Sequence, residues 1–184
     1  MNFIVFDLEL TCWEGDMAGR NQEIIEIGAL KIDSYGHIRS RYSRFVKPIL
    51  YPILSPYCAQ LTSIKQENIN SAKSFKYILP EFIEWIVREP DPYFLVAWGH
   101  QDREYLIQDS ILHKLETDWM KNIYFDLNKK YLQLKKLREP IGLISALTKE
   151  GFEFEGTPHR ADDDAYNLSR IFLKYFGDWD LYKG

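Results

Sequence analysis

The chain has 184 residues, 46% hydrophobic and 27% charged, with a formal net charge of −4. That length and balance suit one domain with a full hydrophobic core, so residues 1–184 read as a single α/β domain. The acidic balance excludes a broad non-specific nucleic-acid footprint, while leaving room for an enzyme that grips a few phosphates at one chain end. Aromatic residues make up 15% of the chain. They serve a packed core first, with a few available to stack on bases or sugars. The two cysteines, Cys12 and Cys58, have no metal-ligand spacing and are expected as free thiols in a reducing compartment. No apolar run approaches about 18 residues and the start MNFIVFDLEL has no basic n-region. Neither a membrane span nor a secretion signal is expected, and the expected location is the cytoplasm.

In chain order, NFIVFDLEL predicts a strand buried on both faces. Its alternation sends Phe3, Val5, Asp7 and Glu9 one way and Ile4, Phe6, Leu8 and Leu10 the other. EIIEIGALKID and HIRSRYSRFVKP predict two more strands, joined at SYG into an antiparallel meander. YPILSPYCAQLTSIKQENI predicts a loop that gives way to short helical turns. SFKYILPEFIEWIV predicts a helix at least from Pro80, which suits a first-turn position. YFLVAWG predicts a fourth strand with a glycine stop. QDREYLIQDSILHKL predicts a helix with Leu106, Ile107, Ile111 and Leu112 as its apolar residues. NIYFDL predicts a fifth strand. Helices follow at NKKYLQLKKL, at PIGLISALTKEG and in the Asp-rich segment that runs to about Phe176. This alternation implies a mixed sheet with helices on both faces.

The segment HRADDDAYNLSRIF places three aspartates in one helical turn. Leu168, Ile171, Phe172 and Tyr175 share the stripe that Asp164 heads, whereas Asp163 heads a mostly polar stripe with Asn167 and Arg170. Asp162 and Asp163 are explained by a helix start, where negative charge meets the positive end of the dipole. Asp164 opens the core-facing stripe, so its carboxylate needs a cation, metal or protein. Asp7 and Glu9 leave the same face of the first strand, and such neighbours repel unless a cation separates them. Arg20, Arg103 and Arg160 are available as partners, but a hard divalent ion with oxygen ligands is the better fit. Asp102 adds a fourth carboxylate just past a strand end, where sites form in α/β sheets. His159, five residues before Asp164, is the candidate base, because histidine as a residue type suits proton transfer near neutral pH. Four carboxylates and one histidine predict two-metal phosphodiester hydrolysis.

The ordered set FDLE (Asp7, Glu9), WGHQD (Asp102) and HRADD (His159, Asp164) resembles the three motifs of the DEDDh, or DnaQ-like, 3′–5′ exonucleases. The likeness covers nearly the whole chain and is closest to the ERI-type branch, through FDLELTCWEG, EIIEIGAL, FVKPILYPILSPYCAQLTSI, AWGHQD and GLISALTKEGFEFEGTPHRADDDAYNLSRIF. The resemblance implies an RNase H-like fold with a five-stranded mixed sheet flanked by helices. It implies two Mg²⁺ ions, with Mn²⁺ able to substitute, held by Asp7, Glu9, Asp102 and Asp164, with His159 as general base. It implies that Leu61 and Thr62 line the terminal-nucleotide pocket, that Leu10 and Thr11 hold the 3′ end through their backbone, and that His100 contacts substrate beside the second motif. Single-stranded 3′ ends, RNA ahead of DNA, are the implied substrates. The chain departs from the wider family pattern at Gly99, Gln101 and Ser63, where Asn, an aromatic residue and Gly are common. Clusters at Arg39, Arg41, Arg44 and Lys47, and at Lys129, Lys130, Lys135, Lys136 and Arg138, read as solvated faces or as a phosphate channel. A DNA-directed exonuclease, a non-catalytic 3′-end-binding module and an RNase H-like endonuclease remain as alternatives.

Overall fold

The computed structural model describes residues 1–15, 19–121 and 124–179. Three antiparallel strands open the fold: β1 (Asn2–Leu10), β2 (Ile24–Asp33) and β3 (Ile38–Phe45). Helices α1 (Pro56–Thr62), α2 (Gln66–Ser71) and α3 (Phe75–Val87) lead to β4 (Tyr93–Ala97). Then come α4 (Gln101–Leu112), a 3-10 turn (Asp118–Lys121) and β5 (Tyr124–Asp126). The chain closes with α5 (Leu127–Lys135), α6 (Leu143–Lys149) and α7 (Ala161–Lys174). The sheet order is β3-β2-β1-β4-β5. The first three strands pair antiparallel, while β4 pairs parallel with both β1 and β5. This is the five-stranded mixed sheet that the resemblance implied. The first part of the predicted strand NIYFDL, at 122 and 123, lies outside the described residues, and its end at Leu127 already belongs to α5.

β1 divides the core by its two-residue period. Ile4, Phe6 and Leu8 pack toward α3, with Ile78, Leu79 and Phe82. Phe3 and Val5 pack toward α7, with Leu168, Ile171 and Phe172. Asp7 and Glu9 continue the second row, so β1 aims both carboxylates at the α7 side. Most of the large rings serve this core, among them Phe3, Phe6, Phe75, Phe82, Tyr131 and Phe172.

Two helices differ from their sequence expectation. α3 begins five residues before Pro80, which lies inside it. Proline in a helix interior costs about 3 kcal/mol. Here Pro80 sits on the exposed side, and the stripe Phe75, Ile78, Leu79, Phe82, Trp85 and Ile86 runs buried past it. Burying six large side chains at roughly 1.5–3 kcal/mol each outweighs that cost. In α4 the face toward the sheet carries Leu106, Asp109 and Ser110, while Ile111 is 66% exposed. Asp109 wins the inner position because its carboxylate accepts the N–H of Ile24 at 2.8 Å, which terminates β2. The apolar side chains of Ile107, Ile111 and Leu112 instead line a surface groove.

Candidate active site

Three carboxylates converge where β1 ends against the start of α7. An oxygen from each of Asp7, Glu9 and Asp164 lies within 4.8 Å of the others. Sheet register explains the convergence. Asp7 is paired with Gly28 and Glu9 with Glu26 across β1 and β2. A Cβ on Gly28 would stand 2.1–2.2 Å from the backbone of Ala161 and Asp162. The missing side chain therefore lets the first turn of α7 lie directly on the sheet, and the same turn carries Asp164.

Burial is the first cause of the electrostatics here, and mutual repulsion is the second. Asp7 is held well above the usual carboxylate range by burial, then by Asp102, Asp164 and Glu9. Burial, Asp164 and Glu26 push Glu9 up to about 8. Asp102, in the first turn of α4, is raised to about 7 by burial, with its own backbone N–H opposing and Asp126 adding to the rise. Asp164 rises to about 6, its burial partly offset by the backbone N–H groups of Arg160 and His159. Among the described residues none of the four forms an ion pair. Of the three arginines considered as partners, Arg160 binds Glu26, Arg103 donates to the carbonyl of Met120, and Arg20 lies over the Trp13 ring. Four crowded acidic groups with no protein cation are a donor set suited to hard divalent ions. Such ions would be held by Asp7, Glu9 and Asp164, with Asp102 beside Asp7.

His159 precedes α7 in an exposed loop and has a left-handed backbone, φ 61°. The loop is tied on both sides. The carboxylate of Asp163 accepts the N–H of Thr157 at 2.8 Å, and the side chain of Asp164 accepts the N–H of Arg160 at 3.0 Å. Asp163 is thus a clamp on the loop as well as a helix-start charge. Asp162 lies near Arg41 and keeps one buried oxygen without a hydrogen-bond partner.

The expected binding residues lie on separate elements. Leu10 follows a register shift between Glu9 and Leu10, which re-aims the strand end. Thr11 is buried, and its N–H and C=O are both taken, by Glu23 and by the side chain of Gln22. Leu61 lines a cleft with Glu14, Pro56, Tyr57 and Gln60. Thr62 is fully buried, its hydroxyl donating to the carbonyl of Cys58 and accepting from Ile64. His100 is exposed beside Glu104 and lines a second cleft with Trp98, Gly99, Gln101, Asp126 and Lys129. Of the basic clusters, Arg41 packs on the Tyr166 ring, Arg44 on the Tyr42 ring, and Lys135 pairs with Glu150. Sequence reasoning missed Glu26, Gly28 and Asp126. For Glu26 the signal was present, because an acidic residue in the apolar run EIIEIGAL needs a partner as much as Asp7 does.

The model of the Exonuclease family matches residues 4–172, and the chain belongs to that family. Human ERI1 exoribonuclease 2 is 32% identical to it, over 95% of this chain and 28% of the relative. Rat 3′-5′ exoribonuclease 1 is 28% identical, over 95% of this chain and 52% of the relative. These curated relatives are therefore about two to three and a half times as long as the part this chain spans. Among solved structures, the nuclease domain of 3′hExo, described as a DEDDh family member bound to rAMP, superposes with a TM-score of 0.90. It is 26% identical, with 96% of this chain and 92% of that one covered. The ERI-type DEDDh resemblance and the RNase H-like fold read from the motifs agree with these matches.

Proposed function

We propose that the chain is a 3′–5′ exonuclease that releases nucleoside 5′-monophosphates from single-stranded ends, RNA ahead of DNA, in the cytoplasm. The observation that carries this reading is the trio Asp7, Glu9 and Asp164, whose oxygens lie within 4.8 Å and form no ion pair among the described residues. Asp102 and His159, on the elements that flank the trio, fill the remaining roles. The exoribonuclease names of the relatives and the rAMP held by 3′hExo support RNA as substrate. Two Mg²⁺ ions, or Mn²⁺ in their place, would be held by Asp7, Glu9, Asp102 and Asp164. When bound, such a pair lowers the pKa of water and compensates charge on the phosphate.

In this mechanism His159 accepts the proton of the water that attacks phosphorus. The phosphorus bond to the 3′-oxygen of the preceding nucleotide breaks with its electron pair going to that oxygen, which takes a proton from solvent, leaving a new 3′-hydroxyl and a free 5′-monophosphate. Asp164 holds its carboxylate still through the N–H groups of the loop that carries the base. Leu10, Leu61 and His100 would border the terminal nucleotide, and the buried Thr11 and Thr62 would shape that border from within.

The test is a gel assay of 5′-labelled single-stranded RNA and matched DNA with Mg²⁺, Mn²⁺ or EDTA. A ladder from the 3′ end of RNA is expected, abolished by EDTA. Asp164→Asn should lose more than about 100-fold in rate, since loss of even an outer partner of a metal ligand costs 10–100-fold. Asp163→Asn should retain activity, because its amide oxygen still accepts the Thr157 N–H. Internal cuts would replace this reading with an endonuclease, and tight 3′-end binding without cleavage would replace it with a binding module.

A further inference from the structure

Glu26 has no part in the chemistry above, yet it is a fully buried carboxylate next to the catalytic set. It stands opposite Glu9 across the β1–β2 ladder. Its oxygens accept three hydrogen bonds. Arg160 gives two of them, from Nη2 at 2.7 Å and Nε at 3.0 Å, and the backbone N–H of Ala161 gives the third at 3.1 Å. This is a two-pronged guanidinium–carboxylate contact, which fixes direction as well as distance. The Arg160 guanidinium also lies 5.2 Å above the Phe45 ring, so its orientation is set from two sides.

We propose that Glu26 and Arg160 act as a positioning pair, which sets the turn that carries His159 and aligns it and Asp164 with Asp7 and Glu9. The proposal rests on the reading of His159 as the base. Three contacts of Arg160 carry it. Its side chain is locked to β2. Its N–H binds the carboxylate of Asp164 at 3.0 Å, and its carbonyl accepts the N–H of Asp164 at 2.8 Å. The residue before it is His159, whose left-handed backbone costs energy and persists only where its neighbours impose it. One residue therefore ties sheet, metal ligand and base together. The lock has a second effect. Arg160 is the nearest cation in sequence to Asp164, and its charge is spent on Glu26 instead of on the site carboxylates.

A misplacement of about 1 Å in a catalytic group costs on the order of 100-fold in rate. The pair should accordingly act on turnover and leave RNA binding alone. The test compares Glu26→Gln, Arg160→Lys and the double variant with the wild type, measuring kcat and KM on single-stranded RNA, Mn²⁺ affinity by calorimetry and Tm. Arg160→Lys keeps the charge and removes the fork, and Glu26→Gln keeps the shape and removes the charge. Each single change should lower kcat by at least about tenfold and weaken Mn²⁺ affinity through the shift of Asp164, with KM for RNA within about threefold of wild type. The double variant should be no slower than the slower single, because the two residues work as one unit. A kcat loss below tenfold, a loss confined to Tm, or losses that multiply in the double variant would each overturn the proposal. If one variant fails to fold, the other single carries the comparison. His159→Ala is run alongside. Wild-type turnover there would overturn the assignment of the base, whatever the pair variants do.

Discussion

At the scale of single residues, three consecutive aspartates do three different things. Asp164 faces Asp7 and Glu9, Asp163 holds the loop at Thr157, and Asp162 lies near Arg41. The helical stripe in the sequence separated Asp164 from its neighbours, because Leu168, Ile171 and Phe172 had to be buried. The hydrogen bond of Asp163 was not legible, since it depends on where a preceding loop returns. Two departures from the family pattern also have local reasons. Gly99 has φ 142°, a backbone that side chains disfavour, so a glycine suits the turn between β4 and α4. Ser63 is the reverse case. It ends α1 at φ 57°, in the left-handed region where a glycine would be unstrained. Ser63→Gly should therefore stabilise the protein by about 0.5–1 kcal/mol, the left-handed cost minus the entropy of glycine. Urea denaturation would read this as a higher midpoint at unchanged slope. An unchanged or lower midpoint would show that Ser63 is unstrained there.

At the scale of elements, the site depends on how closely α7 approaches β2. Gly28 permits that approach, and Glu26, two residues away on β2, holds it. Gly28→Ala would force a Cβ to within 2.1–2.2 Å of backbone atoms of Ala161 and Asp162. Backbone cannot rotate away as a side chain can, so α7 must move. The expected cost is about 1–3 kcal/mol or more in stability, as for an overpacked core. The displacement of Asp164 should lower kcat by more than about tenfold. Chemical denaturation and turnover on the same preparation test both. A Gly28→Ala protein with wild-type turnover would show that α7 need not touch the strand. α3 makes the complementary point about what local signals miss. A rule that places proline at a helix start is overridden when the apolar stripe continues on both sides and the ring faces water.

At the scale of the whole molecule, the crowded carboxylates make stability depend on pH and on cations. Asp164, Asp102 and Glu9 are raised to about 6, 7 and 8, above the ordinary unfolded range near 4. The folded state thus holds more protons than the unfolded chain between about pH 4 and 8. Stability of the metal-free protein must fall as pH rises through that window. Asp109, raised to about 7 by burial, adds to the fall from outside the site. Glu150 acts differently. Its carboxylate is held far below the usual range despite its burial, by Lys135, Lys174, Tyr131 and Tyr175. Its contribution is constant above about pH 5 and is lost only in acid. The expected result is a Tm in EDTA that declines from pH 5 to 8, by about 2–4 °C for each kcal/mol lost. Mg²⁺ should restore most of that loss at pH 8, because ions favour the ionised carboxylates. The part due to Asp109 should remain. A Tm in EDTA that rises from pH 5 to 8 would contradict this account of the site.

The amino-acid sequence alone determined the sheet, its two faces and the identity of the acidic set. Period-two burial in β1 and period-3.6 burial in α7 are short-range consequences of backbone geometry, and a carboxylate inside either pattern stands out at once. Tertiary structure decided what those carboxylates meet. The partner of Arg160 is Glu26, 134 positions earlier, and Asp109 closes the end of a strand 85 positions away. The approach of α7 to Gly28 likewise joins segments that are remote in the chain. Such choices depend on which groups the folded chain brings within hydrogen-bond reach, and on the cost of leaving a buried charge without one.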